Sequence, residues 1–185
     1  AASGHTSTVG RGAGMTAYAH LEAEAGDLAR ELVARLTEAG RTIAVAESLT
    51  GGLVLATLVS VPGASAVVRG GVVAYMTDVK TSVLGVDRGL LDLEGAVHPE
   101  VAREMARGVV ALVGADYGLA TTGVAGPDPQ DGRPVGEVHV AVSGPGEHSH
   151  VESPRFDPAL GRDGIRWAAV HAALRCLSHV VPTSS

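Results

Sequence analysis

The stretch TIAVAESLTGG, residues 42–52, decides how the chain is read. Residues 42–46 are β-branched or apolar, the composition of a strand buried on both faces. The run then breaks into a carboxylate, two small hydroxyls and a glycine pair, and LVLATLV (53–59) resumes as a buried helix. A buried strand that passes through a polar turn into a helix is the pattern of an α/β domain.

Reading outward from that turn extends the alternation. Upstream, residues 18–39 carry Leu21, Ala25, Leu28, Leu32 and Leu36 at helical steps, with Gly40 as a stop. Downstream, Gly70 and Gly71 lead into VVAY, a second strand, and residues 77–84 read as a short helix carrying Lys80. Residues 98–113 form a helix with Val101, Met105, Val109 and Leu112 on one face and Pro99 in the first turn. YGLATTGVAGP (117–127) is a third strand breaking into a glycine loop. GEVHVAVSG (136–144) alternates, with Val138, Val140 and Val142 on one side, and GPGE turns it into HSHVESPRF as a hairpin. Residues 159–177 close the chain as a helix. The expected fold is a three-layer α/β/α sandwich around a mostly parallel mixed sheet of about five strands, one of them antiparallel.

At 185 residues the chain holds one domain, placed at 15–180. The glycine-rich residues 1–14 read as a flexible leader, or as sequence added ahead of a natural start at Met15, and 181–185 as a tail. Aromatics are only 3% of the chain, so aliphatic side chains and alanine must build the core, and the scarcity of rings disfavours base-stacking platforms. The net charge of −6 disfavours nucleic acid as a partner but leaves room for a small anionic ligand at one or two cations. Cys176, the only cysteine, permits neither an internal disulfide nor a thiolate metal cluster, and reads as a small apolar helix residue. No apolar run reaches a membrane span, and no apolar signal core opens the chain, so the expected location is cytoplasmic.

In open α/β sheets ligands gather at the carboxyl ends of the parallel strands. ESLTGG, YMTDVK and TTGVAGP each follow a separate strand, so the fold can bring them together. Ser48 has two readings: it caps the following helix, or it is a nucleophile held where a substrate can reach it. Lys80 likewise is a solvated helix lysine or the base that a serine nucleophile needs. It is the only lysine, and arginine stays protonated and cannot serve. The histidines are scattered and resemble neither a triad nor a metal site. Tyr75 is core or site, Glu47 a supporting group or a solvated carboxylate, and Arg162 a surface cation or an anion ligand. Asp128 and Asp131 are explained by turn chemistry better than by a metal.

AESLTGG, SVPGASAVVRGGVVAYMTDVK, LGV, TTGVAGPD, PVGEVHVAV and GRDGIR together resemble the CinA carboxyl-terminal domain family, in its order and spacing, over residues 39–177. The resemblance implies hydrolysis of the carboxamide of nicotinamide mononucleotide to nicotinate mononucleotide and ammonia, a step of pyridine nucleotide salvage. It also implies a serine–lysine mechanism with no metal and no cofactor, in a homo-oligomer. By that likeness Ser48 is the nucleophile, Lys80 its base, and Tyr75 a group that orients the pair. Thr122 and Gly123 would contact substrate, and Arg162 would bind its anionic part, with Arg166 a weaker candidate. Backbone N–H groups of Thr50, Gly51 and Gly52 would hold the oxyanion or the phosphate. The sequence departs from the family at Met76 and Thr77, where serine and asparagine are frequent, and at His98, where a capping serine is usual. Two alternatives stay open: a nucleotide-binding regulatory domain without catalysis, and an amidohydrolase for another small amide.

Overall fold

Burial of all five residues of Ile43–Glu47 makes the first strand an interior strand of the sheet, covered on both faces. The computed structural model describes residues 12–183. Its elements are α1 (Gly12–Glu38), β1 (Ile43–Glu47), α2 (Leu53–Val59), β2 (Val68–Val73), α3 (Thr77–Leu84), α4 (Arg88–Glu94), α5 (Pro99–Val113), β3 (Tyr117–Gly123), β4 (Val138–Ser143), β5 (Ser149–Glu152) and α6 (Gly161–Val180). The sheet order is β2-β1-β3-β4-β5. β1 is parallel to β2 and β3, whereas β4 is antiparallel to both its neighbours. Four strands therefore point one way and β4 alone points the other, as the mixed-sheet expectation requires.

The period-two alternation of the strands divides the core into two layers. Ile43, Val45, Leu119, Val138, Val140 and Val142 pack with Leu32, Leu36, Leu58, Ile165 and Leu174 from α1, α2 and α6. On the opposite face Ala44, Ala46, Ala120 and Ala141 meet Leu84, Leu91, Met105 and Val109 from α3, α4 and α5. The second face is small by composition, so α5 lies close against it. A Cβ at Gly118 would sit 2.1 Å from the Ala106 carbonyl oxygen, and one at Gly108 would sit 1.9 Å from that of Leu84. Gly118→Ala must push helix from sheet, and is expected to lower stability by about 3 kcal/mol, the upper part of the overpacking range. A urea midpoint unchanged in that variant would contradict the close packing.

The boundaries differ from the sequence reading in three places. α1 already includes Gly12–Gly14, within the segment read as a leader; residues 1–11 of that segment, and residues 184 and 185 of the tail, lie outside the described residues. Val181, read as the start of the tail, is buried, and Arg35 Nε donates to the Pro182 carbonyl at 3.1 Å. β2 starts before its glycines rather than after them. Gly71 lies flat against β1, where a Cβ would come 2.7 Å from the Val45 carbonyl oxygen. The strand consequently ends at Val73 and leaves Tyr75 beyond it, exposed rather than core. Among the described residues no helix is long and apolar enough to cross a membrane.

Candidate active site

The chain leaves β1 at Glu47, and pairing with β3 continues one residue further, where Ser48 N–H donates to the Thr121 carbonyl at 3.0 Å. Glu47 then turns back on the helix that follows. Its carboxylate accepts from the N–H groups of Gly52 (2.9 Å), Val54 (3.0 Å) and Leu55 (2.8 Å) at the start of α2. A negative charge there satisfies the open donors of a helix N-terminus and faces the positive end of its dipole. Glu47, buried, is thus the group that satisfies α2, and neither Ser48 nor Thr50 caps it. The Thr50 hydroxyl pairs instead with that of Thr121 at 2.7 Å.

This corrects one expectation for the glycine pair. The Gly51 N–H donates to the Ser48 carbonyl at 3.0 Å and the Gly52 N–H to Glu47, so neither is free for a phosphate or an oxyanion. What the glycines supply is backbone conformation, with φ of +58° and +101°, which folds the turn tightly enough to present Ser48. Arg166 supports the same turn from α6, donating to the carbonyls of Leu49 and Thr50, each at 3.1 Å.

Lys80 reaches the turn from α3. Its Nζ donates to Ser48 Oγ at 3.1 Å, to the Ala74 carbonyl at 2.7 Å and to the Tyr75 carbonyl at 3.4 Å. All three acceptors are neutral, and the residue is 1% exposed. Lysine is rarely buried so fully, and desolvation disfavours its charged form. Burial accordingly pulls its pKa from 10.5 down to about 8, with the Asp131 charge acting weakly in the other direction. A serine hydroxyl 3.1 Å from a buried amine near neutrality is an arrangement in which the amine can take the hydroxyl proton.

Ser48 opens on a cavity of about 620 Å3 walled by Leu49, Tyr75, Met76, Gly123, Gly126, Asp128 and Arg162 among others. Arg162 spans its mouth, donating to the Tyr75 hydroxyl at 2.9 Å and to the Gly126 carbonyl. Only the Tyr75 backbone carbonyl faces Lys80, while its ring is exposed and its hydroxyl belongs to Arg162. Thr122 is not among the cavity's lining residues. It points to the α5 side of the sheet, fully buried, and donates to the Ala96 carbonyl at 2.7 Å. Asp131 occupies a turn with φ of +50°. The sequence reading missed Leu49, Pro127 and Gln130 in the wall and the Ala74 carbonyl against Lys80. A main-chain carbonyl leaves no signal in a sequence. The part of Glu47 had one, an acid five residues ahead of a glycine that opens a helix.

The family model for the CinA C-terminal domain matches residues 25–181. The chain belongs to the CinA C-terminal domain family. Among CinA relatives it is 46% identical over 166 residues to a CinA-like protein of Gloeobacter violaceus, covering 89% of this chain and 38% of that one. It is 58% identical over 110 residues to a CinA-like protein of Frankia casuarinae, covering 60% of this chain and 25% of that one. The chain thus spans roughly a quarter to two fifths of the length of these relatives. The crystal structure of the competence/damage inducible protein CihA from Agrobacterium tumefaciens superposes with a TM-score of 0.81 at 36% identity, covering 85% of this chain and 95% of that one.

Proposed function

We propose that this CinA domain hydrolyses the carboxamide of nicotinamide mononucleotide, releasing ammonia and nicotinate mononucleotide, by a serine–lysine mechanism. The observation that carries the reading is the 3.1 Å contact between Lys80 Nζ and Ser48 Oγ, with the amine buried and its pKa brought to about 8. Neutral Lys80 takes the Ser48 proton as Oγ bonds to the carboxamide carbon. It hands that proton to the departing nitrogen as the C–N bond breaks, leaving an ester on Ser48 and free ammonia. Water then attacks the ester carbon, giving one proton to Lys80, which returns it to Ser48 Oγ as the acid leaves. The Ala74 and Tyr75 carbonyls hold the amine in place between these steps.

The cavity lies within the range of about 300–1,000 Å3 typical of small-ligand sites. Arg162 at its mouth supplies the cation that a single phosphate requires, and its link to Tyr75 fixes the guanidinium in position. Tyr75 therefore acts on the phosphate side of the site rather than on the dyad. Met76 and Thr77 form the wall nearest Tyr75 and set the fit of the ribose and ring. A cytoplasmic homo-oligomer accords with this reading, since half-exposed Val73 on the edge strand β2 offers apolar area for a second copy.

Incubation of the purified chain with nicotinamide mononucleotide tests the substrate, and ammonia and nicotinate mononucleotide are expected in equal amounts. Hydrolysis of other small amides in its place would keep the dyad and reject the substrate. Calorimetric binding without product would favour a regulatory domain over an enzyme.

A further inference from the structure

We propose that His150, Glu152 and His179 form a binding site for a divalent transition cation of the zinc class, at the β5 edge of the sheet, three strands across from β1 and Ser48. The three are the only group of this kind among the described residues. β5 carries His150 and Glu152 two positions apart and therefore on one face, while Val151 between them packs into the α5-side core. α6 covers that first face, and its last turn delivers His179. A hydrophobic constraint on each element thus aims three donors at one point, although the sequence separates them.

The geometry is that of a cation's ligand set. His150 Nε2 lies 3.2 Å from Glu152 Oε1, and His179 Nδ1 lies 3.3 Å from the same oxygen. All three atoms fall within 4.8 Å of one another. Tetrahedral zinc with bonds of about 2.0–2.1 Å spaces neighbouring ligand atoms about 3.3–3.4 Å apart, so two edges already match. The third closes by rotation of side chains that are 48% and 53% exposed and free to turn. Two imidazoles and one carboxylate are the donors that borderline cations such as zinc select.

Without a cation the trio amounts to two exposed histidine–carboxylate contacts sharing one oxygen, an arrangement of little worth. With one, it fastens the end of α6 to the edge strand β5. Both histidines also line a second cavity, of about 640 Å3, bounded by Arg41 and Tyr117 at the starts of β1 and β3. The fourth coordination position faces that cavity and takes water or a small anion. None of the three residues lines the Ser48 cavity, so the cation is a structural clip, separate from the hydrolytic step.

The test uses the full chain without an affinity tag, titrated with Zn2+ by calorimetry and with Co2+ by visible absorption. One equivalent is expected to bind, with a tetrahedral Co2+ band and a raised thermal midpoint in Zn2+. His179→Ala and Glu152→Ala are each expected to weaken binding by more than tenfold, since disturbing even a ligand's outer partner costs about 10–100-fold. His150→Ala provides an independent third arm, and His171→Ala, on the same helix outside the trio, is expected to leave binding unchanged. Absence of binding, or binding that survives His179→Ala and Glu152→Ala, would overturn the site.

Discussion

Ser48→Ala is expected to release ammonia from nicotinamide mononucleotide at least about a thousandfold more slowly than the wild type, the scale on which removal of an enzyme's nucleophile is felt. The variant removes one hydroxyl at the cavity floor and leaves its surroundings intact. Lys80 keeps its bonds to the Ala74 and Tyr75 carbonyls, Glu47 still holds α2, and Arg162 still spans the mouth. Stability should change by no more than about 1 kcal/mol, the net worth of one hydrogen bond. Calorimetry should find the mononucleotide bound as tightly as before, so the loss falls on kcat and not on KM. Unchanged turnover would remove Ser48 from the chemistry; lost binding would make it a ligand of the substrate.

Lys80→Met is expected to cost turnover as heavily, because no other described side chain donates to Ser48 Oγ. Methionine fills most of the lysine stem's volume and brings no charge into a site that gives it only neutral partners. The fold should therefore persist. The same variant reports on the buried amine through the pH dependence of stability. In the wild type the native amine loses its proton near pH 8, whereas the unfolded chain holds its proton to about 10.5. Between those values the unfolded state binds more protons, so stability rises with pH across the window. Lys80→Met should abolish that rise. The Cys176 thiol, pushed up to about 12 by burial, works in the opposite sense above pH 9 in both proteins and drops out of the comparison.

Most of the fold was legible because its signals are local. Aliphatic runs bounded by glycine marked β1, β3 and β4, and heptad-like spacing marked α1 and α5. α4 was not legible. It is seven residues long with only Leu91 buried, too short for a periodic stripe, and its cap depends on Asp87 accepting from Leu90 N–H at 2.7 Å. His98, a residue that rarely caps, does so through Nδ1, which accepts from the Glu100 N–H at 3.2 Å. For the site, residue type and strand ends raised Ser48 and Lys80 as candidates, and the family likeness paired them. Side-chain direction was not legible. Thr122 and Tyr75 sit in promising segments, yet one strand position turns Thr122 to the far face, and the early end of β2 swings the Tyr75 ring outward. The His150–Glu152–His179 trio was hidden for a related reason, since only the packing of α6 on β5 brings it together.

The dependence of kcat/KM on pH, for ammonia release between about pH 6.5 and 9.5, tests the central claim most directly. If neutral Lys80 is the base, the rate should climb about tenfold per pH unit at the acid end and level off above a midpoint near 8, where burial has brought its pKa. A profile flat across that range would contradict Lys80 as the base for Ser48.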